Sequence, residues 1–295
     1  MIRYSQYLLI VAGVLVVLSL LMSLAIVLVP QVATRRVPSP ALVGAGGGGS
    51  VDLGRRPVGQ LSLGVYTSAF AWLAWGFLTA SLVLRALATG HGPFANQHEF
   101  AVSFAWAILL AYLYFEWRYK ARALAPLAFA AAGVMLLYAS TNDSDVRPLV
   151  PALQNSWLLT LHVFTAVLSY GAAAIGGAAA VLYLLHPRLK WRGLPKREFL
   201  EEIGYRSVVI SYPFMTVMIV LGAIWAEIAW GTYWSWDPKE TSALVTWLIY
   251  GAYLHARVTR EWRGEKAAWL LIAGFAAILL TFFGNAFFGG LHSYA

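Results

Sequence analysis

Eight stretches of this chain are apolar on every side, with neither the alternation of a half-buried strand nor the single stripe of a surface helix. They are residues 7–29, 61–88, 100–117, 123–139, 157–185, 208–228, 243–258 and 267–283. At about 1.5 Å of rise per residue against roughly 30 Å of hydrocarbon, each reads as a candidate crossing. The pattern predicts an all-α fold, a polytopic integral membrane bundle of about eight transmembrane helices. The first stretch follows Arg3 as a signal peptide's core would. Its length and the lack of a small-residue cleavage site favour a retained span.

The polar intervals divide the chain unevenly. Residues 30–60 hold the run Gly44-Ala-Gly-Gly-Gly-Gly-Ser50, a flexible coil that predicts a loosely tethered first span. The expected division is therefore residues 1–60, an N-terminal helix and flexible inner loop, and residues 61–295, the main transmembrane domain. Residues 186–206 are basic, with Pro187 and Pro195 and an expected short interfacial helix over 196–205. There is no internal repeat. The most unusual interval is Trp230-Gly-Thr-Tyr-Trp-Ser-Trp-Asp-Pro-Lys-Glu240, with four aromatic rings and three charges in eleven residues. Wound as a helix it would set Trp230, Trp234 and Asp237 on one face, a flat apolar surface edged by a carboxylate and suited to a planar ligand. Trp236 adds to that platform. Asp237 also suits the cap of a helix beginning at Pro238.

Composition narrows the class. A chain that is 60% hydrophobic and 12% charged, with mean hydropathy +0.68, is too apolar for a soluble globule. If the amino terminus is external, seventeen of the 21 basic residues fall on inner segments, leaving Arg3, Arg85, Arg147 and Lys239 outside. The positive-inside rule then places both termini on the extracytoplasmic side. The same asymmetry, facing anionic lipid headgroups, accounts for the net charge of +8 without nucleic acid. Cysteine is absent. That removes thiol relays, disulfide scaffolds, iron–sulfur carriers and a covalent c-type haem of the chain's own.

With orientation set, the histidines acquire positions. His162 lies just inside the outer end of the fifth span, and His292 follows the eighth span. Both reach the outer face, where the tryptophan-rich loop also emerges. Ionisable groups within spans are functional candidates; a lone His162 would equally serve as a hydrogen-bonding group between helices. The reading gives the pair no acidic or thiol companion within the spans, which argues against zinc, calcium or a di-iron carboxylate centre. A bis-imidazole haem suits two histidines alone, because the porphyrin occupies the other four iron positions. His255 lies about twelve residues down the seventh span, near the inner surface, so it cannot share that iron. Its partner would be His186 or a residue of another polypeptide.

These residues carry a resemblance. Trp230-Gly-Thr-Tyr-Trp-Ser-Trp-Asp-Pro-Lys-Glu-Thr241, Leu244-Val-Thr-Trp-Leu-Ile-Tyr250 and Leu254-His-Ala-Arg257 are similar to the WWD signature, here about residues 225–242, of the CcsA/ResC family. That family holds the haem-handling subunit of the system II cytochrome c synthase. The likeness continues through Gly90-His-Gly-Pro-Phe-Ala-Asn96, Trp157-Leu-Leu-Thr-Leu-His-Val163 and Gly290-Leu-His-Ser-Tyr294. It implies that His162 and His292 are axial ligands of haem b at the outer face. It implies that His255 ligates haem on its way in, alongside a CcsB/ResB-like partner. It further implies haem lyase activity with that partner, attaching haem to the C-x-x-C-H motif of apocytochrome c in the inner (plasma) membrane. His98 departs from the family pattern, where a tyrosine is expected; it and His91 read as polar loop residues. One of the external cations Lys239, Arg147 and Arg85 would pair a haem propionate. Two competing readings are a CcmC-like haem chaperone or exporter, and a b-type electron carrier, which would need two complete histidine pairs.

Overall fold

The computed structural model describes residues 1–28, 58–154, 156–189, 191, 193–284 and 288–292. Among them are eight α-helices and no strand: α1 (Ile2–Leu28), α2 (Val58–Thr89), α3 (Gln97–Tyr119), α4 (Ala125–Ser140), α5 (Ser156–Leu185), α6 (Arg197–Trp230), α7 (Pro238–Thr259) and α8 (Glu265–Phe283). Seven are long and apolar enough to cross a membrane, making this a multi-pass helical membrane protein. The eighth expected crossing, α7, falls short by composition, because it begins Pro238-Lys-Glu and carries His255 and Arg257 near its end. It nevertheless runs the height of the bundle. Its start meets residues 290–292 beyond the end of α8, and Arg257 near its other end bonds Glu201 in the first turns of α6.

Bonds from the start of α1 to the end of α2 (Ser5 to Ser81) and to Ser144 just past α4 (Gln6) show how successive helices run antiparallel. One end of the bundle thus collects the starts of α1, α3, α5 and α7 and the ends of α2, α4, α6 and α8. Helices α3 and α5 form its centre, with 67% of their most apolar stretch buried against 22% for α1 and 28% for α2 and α6. At the α5–α6 seam Ser169 and Ser211 each donate to the other's carbonyl, at 3.0 and 2.8 Å. Such pairs satisfy buried hydroxyls where water is absent. Two further expectations change. Residues 196–205 are not a separate interfacial helix, because α6 continues unbroken from Arg197 through Pro213 to Trp230. Nor is the first span loose: α1 packs on α2 and α4, with Ser5 Oγ donating to Ser81 O at 2.9 Å and Gln6 reaching Ser144. The glycine run lies outside the described residues.

Candidate functional site

The tryptophan-rich interval is a loop, so the single face that a helix would have given Trp230, Trp234 and Asp237 does not form. Helix α6 stops at Trp230 because Gly231 takes the left-handed conformation, φ 75°, and caps it. Helix α7 cannot start before Pro238, whose fixed φ suits a first helical position. Asp237 caps it in a box with Glu240, whose Oε2 accepts from the amides of Ser235 at 2.9 Å and Asp237 at 3.2 Å. Residues 231–237 are therefore a tight loop, and each ring in it faces its own way.

Beneath this loop lies a cleft of about 1180 Å³, counted to its open mouth. It runs between α5, α6, α7 and α8 and is closed on one side by the turn before α3. His162, His292, Trp225, Trp234, Phe94, Phe100 and Lys239 are among its walls. The structure thus brings His162 and His292 to one cleft across 130 residues of chain. The His162 ring stacks near Trp225 at 6.2 Å and 12°, and His292 lies 5.7 Å from the same indole. Room for the His162 ring depends on α6, since a Cβ on Gly222 would come within 2.7 Å of Cε1.

Both imidazoles are oriented by their second nitrogen. His162 Nδ1 donates to Met218 O at 2.9 Å, and His292 Nδ1 donates to Asp237 Oδ1 at 2.9 Å. The tautomer assigned from these bonds puts each ring's lone pair on Nε2. Asp237 does more than cap α7. Its Oδ1 also accepts from the Lys239 amide at 2.8 Å, and Oδ2 accepts from the Leu291 amide at 2.6 Å. The approach is so close that a Cβ on Gly290 would lie 2.2 Å from Oδ2. Burial pushes the Asp237 carboxyl up, but the His292 bond and the two amides outweigh it and hold it down at about 2.

The remaining predicted residues are arranged differently. Trp234 lines the cleft, and its indole N–H is buried without a partner. Trp230 stands behind it, edge-on to His292 at 4.8 Å and to Trp225 at 4.7 Å. Trp236 is 68% exposed and touches Trp234 from outside. Asp237 is buried behind His292 rather than facing the cleft. His255 is exposed on the outward side of α7, eighteen residues from Asp237 or about 27 Å along the helix. His91 stays in the turn before α3, its Nδ1 2.8 Å from Gly92 O. His98 is not a loop residue: it is buried in the first turn of α3 and bonds Ala139 O at 2.9 Å. Acidic groups within the apolar helices were not expected. Glu116 is nevertheless buried on α3 beside Arg122, and Glu227 sits in the last turn of α6.

Sequence reasoning missed Trp225, Gly222, Phe94 and Phe100. Trp225 follows Gly222 by three residues, so both lie on the face of α6 turned to α5, a small-then-large pairing that would have flagged the contact.

The donor set suits haem. Two imidazoles, each fixed at Nδ1 by a carbonyl or a carboxylate, are what an axial pair requires, and the aromatic lining with one unpartnered indole N–H suits a large flat ligand. Three or more His, Asp or Glu side chains able to hold a bare metal ion do not come together among the described residues.

Residues 64–292 match the family described as cytochrome C assembly protein. The cytochrome c biogenesis protein CcsA of Guillardia theta is 35% identical over 245 residues, spanning 74% of this chain and 81% of that relative. CcsA of Prochlorococcus marinus (strain NATL2A) is 36% identical over 256 residues, with the same shares. Among solved structures, cytochrome c heme lyase CcmF superposes with a TM-score of 0.62 at 20% identity. That likeness bears on the fold. It covers 96% of this chain, which spans 46% of the length of CcmF.

Proposed function

This chain belongs to the CcsA family of cytochrome c biogenesis proteins, and within the cytochrome c maturation which that family serves we propose that its cleft holds haem b between His162 and His292. In this reading the chain is the haem-handling subunit of a cytochrome c synthase. The end carrying the cleft is extracytoplasmic, and the opposite end bears the cytoplasmic basic residues. The observation that carries the reading is the pair of imidazoles in one cleft, each with its lone pair on Nε2 and its Nδ1 hydrogen engaged.

A bound haem supplies the iron that two imidazoles saturate and the vinyl groups to which the cysteine thiols of an apocytochrome add. The rest of the work belongs to the chain. His162 is held by a helix carbonyl and His292 by a carboxylate, so each ring's angle is fixed from its Nδ1 side. Phe94, Phe100, Val163 and Trp234 give the cleft apolar walls for the ring. Trp230 and Trp225 pin the His292 ring in place. Positioning is the main catalytic contribution, since fixing two reactants in one geometry removes much of a bimolecular barrier. His255, outside the cleft and facing away from the bundle, would meet haem only together with a CcsB/ResB-like membrane partner.

The test is the absorption spectrum of the purified full-length chain. Wild type should carry low-spin haem, and His162→Ala and His292→Ala should each lose it; an unchanged low-spin spectrum in both variants would sink the assignment. Co-expression with a CcsB-like partner and a reporter apocytochrome then separates synthase from chaperone by whether covalent product forms.

A further inference from the structure

Three cations stand around the cleft end past the first residues, and they differ in what already neutralises them. Arg85 is 3% exposed; its Nε donates to Glu99 Oε1 at 2.6 Å and its Nη2 to Ser144 O at 2.8 Å. The same Glu99 accepts from the Ala95 amide at 2.7 Å, so this ion pair braces the turn that walls the cleft. Arg147 is bonded to Asp143 on the exposed 141–150 segment. Lys239 is different. Among the described residues no carboxylate lies in ion-pairing reach of its ammonium, which stands 5.5 Å from the Phe100 ring centre in the wall of the cleft. Its two acidic neighbours are turned elsewhere. Asp237 accepts from His292 and two amides, and Glu240 folds back onto Ser235 and Asp237.

An ammonium kept among apolar rings without a counter-charge is unfavourable, and a four-carbon stem could swing to water if nothing held it. Here it is retained in the wall of the cleft that both imidazoles also line. We infer that Lys239 is the anion receptor of the cleft, and that the group it receives is a carboxylate carried on a large apolar ring, a propionate of the haem. The inference rests on haem occupying the cleft and adds to that reading which edge of the ring is fixed and by what. A single cation at the wall would orient the ring about the axis of its two imidazole ligands. That rotation decides where the vinyl groups point, which axial ligation alone leaves undetermined.

The experiment compares haem with its dimethyl ester, which keeps the ring and iron but loses both charges. Each is titrated into the purified full-length chain and followed at the low-spin Soret band. Wild type should prefer free haem by about tenfold or more, the scale of one charge-assisted hydrogen bond in a partly buried site. In Lys239→Met that preference should fall to within about threefold with the low-spin band retained, and Lys239→Arg should restore it. A wild-type chain that binds both forms in low-spin state with equal affinity overturns the inference without any variant, as does a Lys239→Met chain that keeps the full preference. Failure of wild type to form a low-spin complex with either compound is a different result, and it would remove the haem reading itself.

Discussion

His292 and His255 stand on either side of one question, how a histidine in a membrane protein is made ready for a ligand. His292 is walled by Trp225 and Trp230, bonded at Nδ1 to a buried carboxylate, and turned into a cleft that a second imidazole shares. His255 faces outward from α7, where its own carbonyl accepts from Thr259 Oγ1, one turn on. In the proposed reading the first site is complete within the chain. The second has one ring on an outer surface, and a partner is proposed to complete it. Preorganisation separates them: second-sphere bonds fix ring angle and tautomer before any ligand arrives.

The sharpest way to break the preorganised side is to disturb the joint between its two motifs without touching a ligand. Gly290 lies against Asp237 so closely that any side chain would overlap Oδ2, whereas Gly289, one residue away, has open space around its Cβ position. Gly290→Ala should therefore push the 290–292 segment off Asp237, costing about 1–3 kcal/mol of local packing, and abolish low-spin haem. Gly289→Ala should leave the spectrum as in wild type. Equal behaviour of the two variants, measured on purified protein, would show that the Asp237–His292 joint does not organise the site.

Asp237→Asn is milder, because the amide oxygen still caps α7 while the charge on the His292 bond is lost. Haem affinity should fall by about 10–100-fold, with Asp237→Glu recovering little because the longer side chain meets Gly290. Acid titration of the wild type probes the same bond. The folded carboxyl sits at about 2 and an unfolded aspartate near about 3.9, so its stabilising contribution is present above roughly pH 4 and is lost as pH falls towards 2. Thermal melting in detergent should show the wild type losing more stability across that window than Asp237→Asn does. Parallel curves would mean the carboxylate is not held by these bonds.

Much of this arrangement was legible from residues alone, and the illegible part has a physical cause. Apolar runs longer than a helical core needs announced the spans, and the number of crossings between residues 162 and 292, oriented by the basic-residue asymmetry, brought the two to the same end. The tryptophan-rich stretch was legible as a loop with a helix starting at Pro238, but the common face that a helix would have given Trp230, Trp234 and Asp237 does not form, because Gly231 ends α6 and Pro238 opens α7. Asp237 was recognisable as a cap, yet its hold on His292 joins residues 55 apart through two loops, and no periodicity encodes such a contact. Trp225 escaped for the opposite reason. An aromatic residue inside an apolar span looks like any core residue until the neighbouring helix is known.

The smallest effect is expected on the other side of the comparison. His255→Ala removes a ring that touches no wall of the cleft and lies about 27 Å along α7 from its cap. The low-spin spectrum and haem affinity of the purified chain should stay within about twofold of wild type, while His162→Ala and His292→Ala lose the signal. The contrast should change when a CcsB/ResB-like partner is present, because the outward face of α7 then has a neighbour; His255→Ala should lower the covalent cytochrome formed without altering the spectrum of the isolated chain. A His255→Ala chain that loses low-spin haem as fully as the cleft variants do, with no partner present, would mean that the two histidine environments are not independent. The division between a site built within the chain and one completed from outside would then have to be abandoned.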